Sequence, residues 1–217
     1  MTMQLREELI AAAREMNRPD INQGINQGTS GNLSLRCADG FLVTPSGLPY
    51  DRLEPADVVQ LTLARGDAPT ATGPRKPSSE WRIHRDVYLA RPDAQAIVHA
   101  HPVHCAALAC LRRPLPAFHY MVAVAGGRDI RCAPYATFGS QALSDHVLEA
   151  LAGRQACLMA NHGLLCLAPD LPRALALAVE IEALARAYLL CLSVGEPVVL
   201  DDAEMDRVLE KFKTYGV

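Results

Sequence analysis

The run Leu33-Ser34-Leu35-Arg36, then Asp39-Gly40, then Phe41-Leu42-Val43-Thr44, constrains the fold more than any other part of the chain. Two short alternating runs joined through Asp-Gly read as a β-hairpin, because Asp and Gly tolerate the positive φ that a tight turn requires. An antiparallel pair must therefore be built among helices. Residues 4–18 place Leu5, Leu9, Ala12, Ala13 and Met16 on one helical face, and Pro19-Asp20 ends that helix. Ser78 or Ser79 reads as the N-cap of a helix running to about Arg91, where Pro92 stops it. Further helices are expected from His104 to Leu111 and over 139–151, 170–192 and 201–213. Strands are expected over 57–63, 96–101, 157–161 and 163–167, and residues 121–124 read as extended or buried.

No Pro/Gly/Ser linker divides the 217 residues, so one domain over 1–217 is expected. Strict βαβ alternation is absent and no G-x-G-x-x-G occurs, which argues against a dinucleotide fold. The pattern predicts a single α/β domain with helices packed around a central mixed or antiparallel sheet. Half the residues are apolar and 21% are charged, which excludes a disordered chain. The net charge of −3, with nothing longer than Arg112-Arg113 as a basic run, excludes a nucleic-acid backbone as partner. The apolar run 187–194 is too short to cross a bilayer, and the N-terminus lacks a signal-type apolar region. Seven Cys without a CxxC suit reduced thiols, and a cytoplasmic location is expected.

His99-Ala100-His101 lies on a strand that ends at Pro102. Strand side chains repeat every two residues, so both imidazoles face one side. A divalent cation would relieve their mutual repulsion and satisfy their lone pairs; two histidines with ordinary partners is the alternative. A third ligand is required, and Asn161-His162-Gly163, a polar junction between two apolar runs, offers His162. Three His leave the fourth tetrahedral position open, the arrangement of catalytic zinc. Glu80, read in the first turn of the 79–91 helix, is a general base or fourth ligand, or else a carboxylate favoured by the helix dipole. His84 is assigned to the surface or inner face of that helix, His146 to a structural place in a helix and His104 to a supporting role, with His119 undecided. Ser78-Ser79 at a helix start, with the polar turns Thr29-Ser30-Gly31-Asn32 and Thr44-Pro45-Ser46-Gly47 at the hairpin's outer ends, could grip a phosphate without Lys or Arg; otherwise they are simply turns.

The ordered set NQGTSGNLSLR (26–36), LVTPSGLPY (42–50), PSSEWRIHRDVYLARPDA (77–94), IVHAHPVHC (97–105), FHYMVAVAGG (118–127), CAPYATFGS (132–140), NHGLLC (161–166) and LEKFKTYG (209–216) spans nearly the whole chain. In this set the chain resembles the class II aldolase/adducin family, most of all its L-fuculose-1-phosphate aldolase branch. The resemblance implies a three-layer α/β/α sandwich with a mixed, mostly antiparallel sheet. It implies a homotetramer with active sites between subunits. It also implies one Zn2+ per subunit (Mn2+ or Co2+ being alternatives) on His99, His101, His162 and Glu80, and a phosphate pocket from Asn32, Ser46, Gly47, Ser78 and Ser79. Tyr120 corresponds to a proton-donating tyrosine contributed across a subunit boundary. Tyr215 corresponds to a tyrosine that closes over a neighbour's site, and Phe138 to an aromatic near the aldehyde subsite.

The implied reaction is reversible cleavage of a ketose 1-phosphate to dihydroxyacetone phosphate and an aldehyde. Related branches give alternatives: a methylthioribulose-1-phosphate dehydratase, a pentulose-phosphate 4-epimerase, or a non-catalytic adducin-like interaction domain. The epimerase pattern carries Asp where this chain has Glu80, which favours aldol chemistry. Two departures from the usual pattern are a longer 18–28 segment with a doubled NQG, and Ser46 where Thr is more typical.

Overall fold

The computed structural model describes residues 2–18, 25–64 and 69–214. Pro19-Asp20, the first NQG at 22–24 and Tyr215 lie outside the described residues. The predicted hairpin forms β1 (Asn32–Cys37) and β2 (Gly40–Val43), paired antiparallel with Cys37 opposite Gly40. Next come β3 (Val59–Leu61), β4 (Ala71–Thr72), β5 (Ala96–Ala100), β6 (Cys132–Ala133), β7 (Ala156–Met159) and β8 (Gly163–Ala168). They make one eight-stranded sheet in the order β4-β3-β2-β1-β5-β8-β7-β6. Among the described residues only the β6–β7 pair is parallel, so the sheet is mixed and mostly antiparallel.

Among the described residues six α-helices cover the sheet: α1 (Thr2–Met16), α2 (Trp81–Ala90), α3 (Val103–Cys110), α4 (Gln141–Ala150), α5 (Leu171–Val194) and α6 (Asp202–Phe212). Alternation along each strand divides the apolar residues between two cores. Leu33, Leu35, Val98, Leu158, Leu164 and Cys166 pack towards α1, α3, α5 and α6. Phe41, Val43, Ile97, Cys157, Leu165 and Leu167 pack towards α2 and α4. The result is a single-domain α/β/α sandwich. Along β5, His99 takes the next α2-facing place after Ile97, which points its ring into that layer. Among the described residues no helix is long and apolar enough to cross a membrane.

Three local expectations are corrected. The strand read over 57–63 shrinks to β3, because Asp57 closes a 3-10 turn (Pro55–Asp57) by accepting Glu54 N–H at 3.1 Å and Arg75 Nε–H at 2.8 Å. Residues Tyr120–Ala125, read as extended or buried at 121–124, form a 3-10 helix in which Val122 and Ala123 are buried; His119 Nδ1 caps its Met121 N–H and Gly126 at φ 83° ends it. The helix predicted from Ser78 or Ser79 starts at Trp81 with Glu80 as N-cap, so neither serine caps it.

Candidate active site

The shift at the start of α2 is what frees Glu80. Ser78 Oγ accepts the Glu80 N–H at 3.3 Å, Ser78 N–H bonds Thr44 O at 3.0 Å, and Ser46 N–H bonds Lys76 O at 3.1 Å. Residues 76–80 therefore run alongside the 44–46 turn before the helix begins. The Glu80 side chain makes no cap bond; its carboxylate turns inward and is buried. The reading that placed it as a first-turn dipole partner is thereby replaced.

Three imidazoles meet that carboxylate. His99 lies opposite Asn32 of β1 and Leu165 of β8. His101 follows β5 at once. His162 stands in the tight β7–β8 turn, where Asn161 adopts φ 54°, a left-handed conformation that Asn tolerates. Gly163 opens β8 because a Cβ there would lie 2.5 Å from Ala100 O and 2.7 Å from the His101 ring. The three rings are mutually tilted, with centroids 4.8–5.0 Å apart.

Their ligand atoms lie within 4.8 Å of one another. His99 Nε2 is 3.0 Å from His101 Nε2 and 3.1 Å from Glu80 Oε2, while His162 Nε2 is 3.4 Å from Glu80 Oε1. Nitrogens on a tetrahedral zinc, each about 2.0–2.1 Å from the ion, stand about 3.3 Å apart, close to this spacing. The His99 Nδ1–H donates to Leu164 O at 2.9 Å, which leaves Nε2 as the free donor of electrons.

The charges fit a cation. Burial above all, then neighbouring imidazoles (His99 and His162 for His101, His99 for His162), pushes His101 and His162 down to about 4, so both rings are neutral at physiological pH, the form in which an imidazole can ligate. Burial alone would raise the Glu80 carboxyl, but His99, His162 and the Asn32 amide outweigh it and hold the group well below its ordinary range. Burial likewise opposes a proton on His99, yet Glu80 and the Leu164 carbonyl more than offset this and favour one. Glu80 Oε1 is buried without a hydrogen-bond partner. An acceptor-rich cluster with an orphaned carboxylate oxygen is what a divalent cation satisfies.

This cluster floors a cavity of about 350 Å³. Its walls are Thr29–Asn32, Ser46, Gly47, Ser78 and Ser79 on one side, with Tyr135, Ala136 and Phe138 on the other. Both polar turns thus face one pocket, as the hairpin geometry suggested. The volume is at the small end of ligand sites and suits a metabolite.

Phe138 is 65% exposed at the rim. Tyr120 lies elsewhere: it is exposed, stacks on His119, and lines a separate cavity with Arg207, Lys211 and Phe212 of α6. His104 bonds Glu182 through Nδ1 at 2.7 Å, and His146 bonds Pro134 O at 3.2 Å.

Two positions at the site, Tyr135 and Asn26, escaped the sequence reading. Tyr135 faces the cavity, and its only prior signal was an aromatic three residues before Phe138 in a Pro-containing loop. Asn26, in the second NQG, is buried; its Oδ1 accepts the His101 N–H at 3.3 Å, and its amide donates to Ser30 O and Asn17 Oδ1. It ties the 29–32 turn to His101 at the end of β5. Of the two places read for His84, surface or inner face of its helix, it takes the inner face, buried completely beside Asn32.

The family model for the Class II Aldolase and Adducin N-terminal domain matches residues 7–189. The chain belongs to the class II aldolase and adducin family. It is 53% identical over 212 residues to a 5-methylthioribulose-1-phosphate/5-deoxyribulose-1-phosphate aldolase of Rhodospirillum rubrum, covering 98% of this chain and 92% of that one. It is 50% identical to an L-fuculose phosphate aldolase of Escherichia coli, covering 98% and 96%. Among solved structures, an L-fuculose 1-phosphate aldolase superposes with a TM-score of 0.89 at 42% identity, covering 97% of this chain and 96% of that one.

Proposed function

We propose that residues 1–217 form one class II aldolase/adducin-like domain that reversibly cleaves a ketose 1-phosphate into dihydroxyacetone phosphate and an aldehyde. The observation that carries this reading is a cluster of three metal-type imidazoles, two of which, His101 and His162, line one cavity together with the buried Glu80 carboxylate and a wall of small hydroxyl and amide groups. The relatives' named substrates share a phosphate-and-ketone end and differ in the tail. Here Tyr135 and Phe138 favour a deoxy or methylthio tail, as in L-fuculose 1-phosphate or a 5-deoxy- or 5-methylthio-pentulose 1-phosphate.

His99, His101 and His162 would hold one divalent cation, with Glu80 as a displaceable fourth ligand; Zn2+ suits the donor set, and Mn2+ or Co2+ could replace it. When bound, the cation supplies Lewis-acid stabilisation of negative charge developing on the substrate. Asn32, Ser46, Gly47, Ser78 and Ser79 bind the phosphate through hydroxyl, amide and backbone N–H donors. That anchorage presents C3 of dihydroxyacetone phosphate to Glu80. In synthesis Glu80 removes the C3 proton, C3 bonds the aldehyde carbon, and Tyr120 of an adjacent subunit gives its hydroxyl proton to the aldehyde oxygen. In cleavage Tyr120 takes the C4 hydroxyl proton, the C3–C4 bond breaks, and Glu80 returns a proton to C3. Phe138 flanks the aldehyde and Tyr215 of a neighbour closes the mouth. The exposed position of Tyr120, outside its own chain's histidine cavity, supports service to another copy in a homotetramer. We place the enzyme in the cytoplasm.

The test is a panel of these three ketose 1-phosphates given to metal-reconstituted protein. Release of dihydroxyacetone phosphate, with a rate about 10²–10⁴-fold lower in Glu80→Gln at unchanged metal content, is expected. Loss of water or inversion at a hydroxyl carbon without dihydroxyacetone phosphate would identify a dehydratase or epimerase instead. No metal and no turnover would favour the adducin-like alternative.

A further inference from the structure

Behind Glu80 runs a line of buried polar side chains of which the reaction above uses only the first, Asn32. Asn32 Nδ2 donates to Glu80 Oε2 at 3.0 Å. The oxygen of the same amide, Oδ1, is 2.5 Å from His84 Nε2. His84 Nδ1 is 2.6 Å from Ser34 Oγ, and Ser34 Oγ is 2.8 Å from the Tyr88 hydroxyl. Asn32 and Ser34 are two apart on β1, and His84 and Tyr88 four apart on α2. One strand repeat therefore meshes with one helical turn. All four side chains are buried, where an unmatched donor or acceptor costs about 1–3 kcal/mol.

Donor and acceptor inventory leaves one arrangement. An ionised carboxylate only accepts, so Asn32 must turn its NH2 group to Glu80. Its Oδ1 then needs a donor, which only a protonated His84 Nε2 provides. Complete burial, then the nearby His99, pushes His84 down to about 3, so the ring is neutral and carries one N–H. Nδ1 must accept, so Ser34 Oγ–H donates to it; with that proton used, Tyr88 O–H donates to Ser34 at 2.8 Å in preference to Gln95 O at 3.4 Å. Every bond points the same way, from Tyr88 towards Glu80. A reversed Asn32 amide would set Oδ1 against Oε2, acceptor facing acceptor.

We propose that His84, held in its Nε2–H form by Ser34 and Tyr88, is a positioning residue that locks the Asn32 amide and thereby aims the Glu80 carboxylate at the substrate carbon. The proposal rests on the reading of Glu80 as the base. It gives Asn32 two duties, one towards the phosphate and one towards the carboxylate. It also gives a role to a histidine that neither contacts the cavity nor ligates.

Two measurements test it. The first is solvent deuterium exchange into dihydroxyacetone phosphate without aldehyde, which reads proton removal alone. His84→Leu is expected to slow exchange about 10–100-fold at similar KM and metal content. His84→Gln, whose amide N–H reaches the Nε2 position, is expected to recover most of the loss. Equal exchange in His84→Leu and wild type, or no recovery in His84→Gln, overturns the proposal. Absence of exchange in the wild type instead overturns the role of Glu80. The second is imidazole 15N NMR of the metal-free wild type, which needs no variant to fold. A protonated Nε2 with a bare Nδ1 at His84 is expected, and an Nδ1–H form refutes the wiring.

Discussion

Replacing Gly163 by Ala adds one methyl where the metal-ligand strand leaves no room. The new Cβ would stand 2.5 Å from Ala100 O and 2.7 Å from His101 Cδ2. An ordinary C···O approach is about 3.3 Å, so about 0.8 Å must be found. Ala100 belongs to β5, paired on one side with β1 and on the other with β8, and cannot retreat without breaking ladder bonds. If the strain stays in the backbone, overpacking costs about 1–3 kcal/mol, or about 2–12 °C in Tm for a chain of this size. If the His101 ring swings aside instead, a ligand is displaced and metal affinity falls at least about 10–100-fold. Thermal unfolding of the metal-stripped protein and chelator-competition titration together separate the two routes. A Gly163→Ala protein with both Tm and metal affinity equal to wild type would refute the close approach on which the site's geometry depends.

Acid should destabilise the metal-stripped protein. His101 and His162 at about 4 and His84 at about 3 all lie below the ordinary 6.5, so the unfolded chain binds more protons than the native one between those values. Their contribution is present above pH 6.5 and is lost as pH falls towards 4 and 3. Denaturant midpoints at pH 7.5, 6 and 4.5 should fall in that order, and a flat series would contradict the neutral burial of these rings. Separately, Glu182 accepts the N–H groups of His104 and Cys105 at 2.9 Å each, capping α3 where Pro102 cannot. Glu182→Leu should lower unfolding free energy by about 2–4 kcal/mol in urea titration, and Glu182→Gln by less.

Much of this site was legible because its parts are local in sequence. His99-x-His101 needs only the two-residue strand repeat, and the Asp39-Gly40 turn brings residues 29–32 beside 44–47. What stayed hidden depends on partners far along the chain. His84 looks like any helical histidine until Ser34, 50 residues away, and Asn32 meet it. The helix start was misread because Ser78 has the right chemistry for a cap yet spends its hydroxyl on Glu80 N–H and its N–H on Thr44. The stretch Met121–Val124 carries β-branched residues that favour strands, but the His119 cap and Gly126 fold it into a 3-10 turn. Tyr120 carries no local signal of function; its place came from the family motif alone.

On the proposed reading, imidazoles from a strand and a hairpin turn share one cation with Glu80. Crystals of the protein grown with zinc and measured at the zinc absorption edge test it most directly. The account predicts a single anomalous peak per subunit, about 2.0–2.1 Å from the Nε2 atoms of His99, His101 and His162. A peak at any other side chains, or none while the three rings keep the packing described above, would contradict it.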